Sequence, residues 1–212
     1  APAYKAMGIF NWTNNKYGGD VKLATTGEHI RLFVAFPEML GVNPKVDIYG
    51  ENGTVTTKEL TYSEAAKFYF VEFDTTEDLK LPQGKIQYKI YGYEDAAGNV
   101  GTTLTNTDLK YPGIDQGVEY DKTNPTPYFV EFTTTNANNN RYAKVGDQVW
   151  VKVGIKEELS KYPVIKINGI TTNTIINDPA GVIYVGWITM TEDMTEGKMS
   201  FEISGYEDLA GN

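Results

Sequence analysis

Gly92-Tyr93-Glu94-Asp95-Ala96-Ala97-Gly98-Asn99 returns as Gly205-Tyr206-Glu207-Asp208-Leu209-Ala210-Gly211-Asn212, with seven of eight residues identical at a spacing of 113. Each copy follows an alternating apolar run, so each reads as a strand running into a tight turn, where Asp and Asn hydrogen-bond nearby backbone and Gly supplies a positive φ. Asp95 to Asn99 is therefore expected to turn a hairpin that joins the last two strands of its unit. Outward from this pair the match continues. Gly146 to Ile155 falls on Gly27 to Phe36 and Pro163 to Gly169 on Pro44 to Gly50, both at 119; Thr191 to Asp193 falls on Thr76 to Asp78 at 115; Lys198 to Ile203 falls on Lys85 to Ile90 at 113. The spacing changes only between strand-like runs, where loops absorb deletions. Two copies of one unit, of roughly 100 residues each, follow from the spacing.

Alternation sets the elements. Ile30, Leu32, Val34 and Phe36 alternate with His29, Arg31, Phe33 and Ala35, and their counterparts are Val149, Val151, Val153 and Ile155. Period two places these apolar sets on a core face and their neighbours outward. Val46 with Ile48, and Ile86 with Tyr88 and Ile90, are read the same way. Further strands are expected over residues 4–12 and 100–107. Phe68 to Phe73 reads as a strand whose inward phase is ambiguous, because nearly every residue is apolar. Residues 14–20 form a turn-rich loop, and Ser63 to Lys67 could make one helical turn. The expected fold is all-β, with domain one over 1–111, a linker over 112–121, and domain two over 122–212. No strand follows the second Gly-Asn, so domain two is expected to lack its last strand and to continue in a longer protein. Pro125 and Pro127 stiffen the approach to it.

The 212 residues contain no cysteine, which leaves neither disulfides nor a Cys-based zinc site. The net charge of −9, from 28 acidic and 19 basic residues, disfavours nucleic acid as a partner. No apolar run approaches the length of a membrane span, so no membrane insertion is expected.

Candidate chemistry is sparse. The single histidine, His29, lies on the outward face of its strand beside Glu28 and Arg31, and reads as a solvated surface residue. Glu77-Asp78 and Glu192-Asp193 fall in turns rather than facing one another across a cleft, as a hydrolytic pair must. No nucleophile–base set, metal cluster or phosphate loop is evident, so an enzyme is not expected and no catalytic or metal residue is assigned. The outward aromatics are the remaining candidates. Trp150 is placed outward by alternation, and Trp187, Tyr91 and Phe33 join it as residues that could stack on sugar rings or anchor a protein interface. Trp150, Trp187 and Tyr91 are the candidate binding residues.

Frequent turns and about seven short strands per unit suggest a two-sheet sandwich of immunoglobulin type. The segments Tyr142 to Val149 and Gly205 to Asn212, with Asp121 to Pro127 ahead of the second unit, resemble the tandem immunoglobulin-like domains of large bacterial surface proteins. That resemblance implies two tandem Ig-like β-sandwiches of an extracellular protein, displayed on the bacterial surface or secreted. It implies a non-catalytic spacer, stalk or adhesive role, or alternatively a carbohydrate- or protein-binding accessory module of a secreted or surface enzyme. The implied partners are neighbouring Ig-like domains of the same chain and a host protein or glycan. No cofactor is implied beyond a structural calcium ion at a domain junction, for which Asp95 and Asp121 could supply oxygens. A Lys–Asn isopeptide bond, also implied, would need a buried Lys, an Asn and an acid in contact.

Overall fold

The computed structural model describes residues 1–13, 22–110, 117–173, 175–176 and 182–212. The loop read over 14–20 and positions 112–116 of the expected linker lie outside them. The described residues are strands, turns and two single-turn 3-10 segments, Glu51–Gly53 and Glu77–Leu79, without an α-helix. The fold is therefore all-β. The chain divides into two compact units, Ala1–Lys122 and Thr123–Asn212.

In the first unit, one sheet runs in the order Ala6–Asn11, His29–Ala35, Phe68–Asp74, Thr61–Ser63, and a second runs Leu104–Thr105, Tyr88–Tyr91, Lys45–Tyr49, Val55–Glu59. All these pairings are antiparallel. The register places Ile9 on Leu32 and Leu32 on Val71 in the first sheet, and Ile48 on Tyr88 in the second. Both sheets turn their apolar positions to one shared core. Met7, Ile9, Ile30, Leu32, Val34, Tyr69 and Val71 meet Val46, Ile48, Tyr88, Ile90 and Leu104 there. That layering is sandwich-like, and burying it supplies the main stabilisation. It also resolves the ambiguous strand: Tyr69, Val71 and Phe73 point inward, while Phe68 and Phe70 face out.

Ser63 to Lys67 makes a single turn between the Thr61–Ser63 and Phe68–Asp74 strands, closed as one helical turn is, by Lys67 N–H donating to Ser63 O at 2.7 Å. Three local outcomes differ from the sequence reading. The last strand shrinks to Leu104–Thr105. Within the stretch read as a linker, Glu119–Tyr120 is a strand, parallel to Leu23–Ala24 and antiparallel to Gly84–Lys85. Tyr120 of this strand and Val118 just before it are buried, so this stretch belongs to the first unit's core. Glu94–Asp95 also pairs, with Leu40–Val42, an edge the sequence did not disclose.

In the second unit, one sheet runs Pro127–Thr134, Gln148–Ile155, Ile183–Thr189, Ile175–Ile176. A three-stranded sheet runs Ile170–Thr171, Val164–Ile167, Phe201–Ser204, and Leu159–Lys161 pairs with Glu207–Asp208. Val149, Val151, Val153 and Ile155 pack with Ile165, Ile167, Tyr184 and Ile188 in one core. The opening strand Pro127–Thr134 and the strand Ile183–Thr189 were not separated in the sequence reading.

Candidate functional site

The repeated motif is a turn in both units, and its aspartate organises it. Asp95 Oδ1 accepts from the backbone N–H groups of Ala97 and Asn99, each at 2.9 Å, and Oδ2 accepts from Asn99 Nδ2 at 2.8 Å. In the other copy Asp208 Oδ1 accepts from Gly211 N–H at 2.8 Å and Asn212 N–H at 3.0 Å, and Oδ2 accepts from Asn212 Nδ2 at 3.1 Å. Gly98 and Gly211 take the left-handed conformation, with φ of 83° and 94°. The bonds from Asn99 and the turn amides hold the Asp95 carboxyl below its ordinary range. The hairpin expected at residues 95–99 is present, with Glu94 bridging Val100 ahead of the paired Tyr88–Tyr91 and Leu104–Thr105 strands. Of the two acids considered for calcium, Asp95 has both oxygens engaged by N–H donors, and Asp121 accepts from Gln83 Nε2 at 2.7 Å. Among the described residues no lysine is buried, as the isopeptide linkage would require.

The three aromatic candidates fall in two places. Trp150 and Trp187 are paired across the Gln148–Ile155 and Ile183–Thr189 strands. Their rings stack at 4.8 Å with an interplanar angle of 19°. They lie on the face opposite Val149 and Val151, as alternation requires, but each half-buries the other. Trp150 Nε1 is buried and has no hydrogen-bond partner among the described residues. Tyr91 belongs to the first unit, where its hydroxyl donates to Asp47 Oδ1 at 3.0 Å and its ring lies 4.8 Å from Lys89 Nζ. Phe33, the fourth outward aromatic, is buried by Phe68 at 5.0 Å and Phe10 at 6.2 Å.

Two polar clusters escaped the sequence reading because each is assembled across strands. Asp47 is buried on the Lys45–Tyr49 strand and accepts from Thr57 Oγ1 at 2.6 Å, Tyr91 at 3.0 Å and Lys89 Nζ at 3.1 Å. Burial opposes its ionisation, and these three donors overcome burial, so its carboxyl sits below the ordinary range. His29 is not the solitary surface imidazole expected. Its Nδ1 lies 2.6 Å from Asp74 Oδ1 and its Nε2 3.4 Å from Glu72 Oε2. The bond to Asp74 leads in lifting the imidazole above its ordinary value, against desolvation and with help from Glu72. Burial likewise opposes ionisation of Glu72, which is nevertheless held low by Arg31 and His29. Arg31 reaches Glu72 through Nε and Nη2, and its guanidinium lies 4.0 Å from the Trp12 ring centroid. Opposite charges at cross-strand partners, His29 on Asp74 and Arg31 on Glu72, are the signal that register would have exposed.

Both clusters are ion pairs closed on themselves. A shallow hollow of about 280 Å³ lies between the two sheets of the first unit, lined by Thr56, Lys58, Phe73, Asp74, Thr76, Asp78 and Leu79. It presents no base held against a nucleophile. No described helix is long and apolar enough to cross a membrane. Comparison with protein families and with curated proteins returns no match for the sequence.

Proposed function

We propose that the chain is a pair of immunoglobulin-type sandwich modules acting as a non-catalytic spacer, stalk or adhesive part of an extracellular bacterial surface protein. The observation that carries this is strand order. The first unit sets Ala6–Asn11, His29–Ala35, Phe68–Asp74 and Thr61–Ser63 against Leu104–Thr105, Tyr88–Tyr91, Lys45–Tyr49 and Val55–Glu59, an arrangement in keeping with that fold. The second unit supports the reading of a repeat through the same order in Pro127–Thr134, Gln148–Ile155 and Ile183–Thr189, against Val164–Ile167 and Phe201–Ser204. Polar groups that could have made a site are engaged in turns and ion pairs, which fits a role in reach and rigidity. The test is accessibility on intact cells that produce the protein. Antibody against the 212-residue chain should stain unbroken cells or recover it from the medium, and external protease should remove the surface signal. A signal found only after lysis overturns the proposal.

The stacked Trp150–Trp187 pair favours a second reading, a carbohydrate-binding accessory module, since an aromatic surface can take a sugar face. A glycan array probed with the chain and with its Trp150→Ala variant decides: binding lost in the variant supports it, and no binding by the parent chain excludes it.

A further inference from the structure

One edge of the first unit breaks the rule that core-facing positions are apolar. Thr56 and Lys58 pair with the buried Ile48 and Val46, so they share the core-facing side of the Val55–Glu59 strand. Polar residues at such positions mark either a guarded edge or a site. Val55–Glu59 is the last strand of its sheet. In the facing sheet Thr61–Ser63 pairs only with Phe68 to Phe70, so among the described residues no strand flanks residues 71–74 on that side. The sandwich opens here, and the opening is the hollow of about 280 Å³. Thr56 and Lys58 supply one wall. Asp74, Thr76 and Asp78 supply the other, with the buried Phe73 and Leu79 as the floor.

Both walls are fixed by the fold, and their polar groups are not used up. The second wall is pinned at each end: Thr75 N–H donates to Glu28 O at 2.8 Å, and Lys80 O accepts from Glu51 N–H at 2.7 Å. Among the described residues Lys58 and Asp78 make no ion pair or hydrogen bond through their side chains. Asp74 engages Oδ1 with His29 Nδ1 at 2.6 Å and keeps Oδ2. The second unit closes the corresponding place. Ile170 pairs with Ile167, the counterpart of Ile48. Thr172 is buried, with its N–H at 2.9 Å and its Oγ1 at 3.0 Å both donating to Ile165 O. A guarded edge needs only an inward charge. In the first unit acceptors also stand across from that charge, over an apolar floor.

We propose that this hollow is a saccharide-binding site that takes one pyranose ring from the end of a glycan. The ring's C–H face rests on Phe73 and Leu79. Its hydroxyls, which both donate and accept, donate to Asp78 and to Asp74 Oδ2 and accept from Lys58 Nζ, and the hydroxyls of Thr56 and Thr76 serve either way. The openness of the hollow selects a neutral ligand over a charged one. Asp78 is exposed and Lys58 half-buried, so water screens both, and pairing them with charges on a ligand gains little. A sugar instead exchanges water's hydrogen bonds for its own hydroxyls and gains the apolar floor. The site belongs to the first unit and uses neither Trp150 nor Trp187, so it stands or falls separately from a role for that pair.

The probes are the methyl glycosides of glucose, galactose, mannose and N-acetylglucosamine, which carry the linkage of a glycan end. Each is titrated into the isotope-labelled 212-residue chain and followed by amide NMR. At least one should shift the amides of residues 55–58 and 73–79 saturably, with a dissociation constant on the order of 1 mM. Lys58→Met, which keeps the stem and removes the ammonium, and Asp78→Ala should each weaken that sugar about tenfold, as expected for losing a hydrogen bond to a charged group. Glu59→Ala, on the outward side of the same strand, should leave the affinity unchanged. Amide spectra that match the parent outside 55–58 and 73–79 show that each variant folds. No saturable shift from any of the four sugars overturns the proposal, as does an affinity indifferent to both Lys58→Met and Asp78→Ala. Shifts confined to the surroundings of Trp150 and Trp187 overturn it in favour of that pair. Shifts at the hollow from free glycine but from none of the sugars overturn it in favour of a zwitterionic ligand. Self-association of Lys58→Met with no sugar bound by the parent chain reduces Lys58 to a guard of the strand edge.

Discussion

Replacing Gly101 by Ala should destabilise the first unit, and the reason can be isolated. Gly101 lies outside the left-handed region, so its backbone accepts alanine, and by chain entropy alone the change would stabilise by about 0.4–1 kcal/mol. The added methyl, however, lands 1.9, 2.3 and 2.4 Å from three Tyr93 ring atoms. That ring is fully buried, packs on Phe36 at 4.9 Å and is tied through its hydroxyl to Thr102 O, so it has no free direction in which to yield. Overpacking costs about 1–3 kcal/mol, and losing the hydroxyl bond adds about 1. Set against the entropy gain, the net penalty is about 1–3 kcal/mol. The control reverses the sign. Tyr93→Ala alone should cost about 3–5 kcal/mol, but on that background Gly101→Ala should be neutral or slightly stabilising, because the methyl enters the space the ring has left. The assay is urea unfolding followed by tryptophan emission with Trp150 and Trp187 replaced by Phe, which leaves Trp12, the remaining tryptophan, as reporter of the first unit. An equal effect of Gly101→Ala on both backgrounds would falsify the steric account, and so would stabilisation with Tyr93 present.

Three further outcomes are expected. Asp47→Asn keeps one acceptor oxygen but loses the charge that meets Lys89, and should cost about 1 kcal/mol at neutral pH, kept small because the ammonium is 37% exposed. Because the folded carboxyl titrates below its ordinary 3.8, that contribution is present above this value and lost as pH falls through the lower folded value. Unfolding midpoints of parent and variant should therefore converge in acid, and a constant gap would refute the role. For His29 the sign is opposite. Its folded value is raised above 6.5, so the stability it adds is complete below 6.5 and disappears as pH rises through the folded value. His29→Gln should cost more at about pH 5.5 than at about pH 8.5, and parallel pH profiles for the two proteins would contradict the Asp74 and Glu72 pairing. Trp150→Phe, which removes the buried and unpartnered Nε1–H while keeping a ring against Trp187, should cost less than about 1 kcal/mol, whereas Trp150→Ala should cost about 2–3 in thermal unfolding. Equal costs would show that the stack contributes nothing.

Alternation made legible the strands whose two faces differ in polarity. His29–Ala35, Lys45–Tyr49, Gln148–Ile155 and Val164–Ile167 emerge within a residue or two of their expected places. It failed where the outer face is apolar too. Phe68 and Phe70 point out but cover Phe33, so their strand carries no polar phase to read. Pro127–Thr134 is obscured differently, since it opens at the second of two prolines and its aromatic residues Tyr128, Phe129 and Phe132 fall on both faces. Glu119–Tyr120 is too short for periodicity to register. The polar clusters were invisible for a topological reason: Asp47 meets partners ten and 44 positions away, and His29 meets one 45 positions away. Sequence supplies the charges, but only register decides which of them face one another.

The repeated octapeptide can now be accounted for nearly residue by residue, and the result bears on why two copies should agree so closely. The aspartate receives two backbone N–H groups and one side-chain amide in each unit, the glycine before the final asparagine holds a left-handed φ, and the asparagine closes the loop. Asn99 O accepts from Asp95 N–H at 3.1 Å, and Asn212 O accepts from Asp208 N–H at 3.2 Å. The glutamate lies in the short strand that pairs with Leu40–Val42 or with Leu159–Lys161, and Glu207 adds an ion pair to Lys161 at 3.0 Å. The position that differs, Ala96 against Leu209, makes none of these bonds, and Leu209 is 46% exposed. The substituted position is thus one without a role in closing the turn. A cation at the first turn would have to displace N–H donors already aimed at both oxygens of Asp95, replacing donors of the right polarity with an ion that wants six or more oxygens. The tyrosine differs in what surrounds it. Tyr93 is locked by Gly101 and Thr102, while Tyr206 is half-buried and packs against the second unit's core.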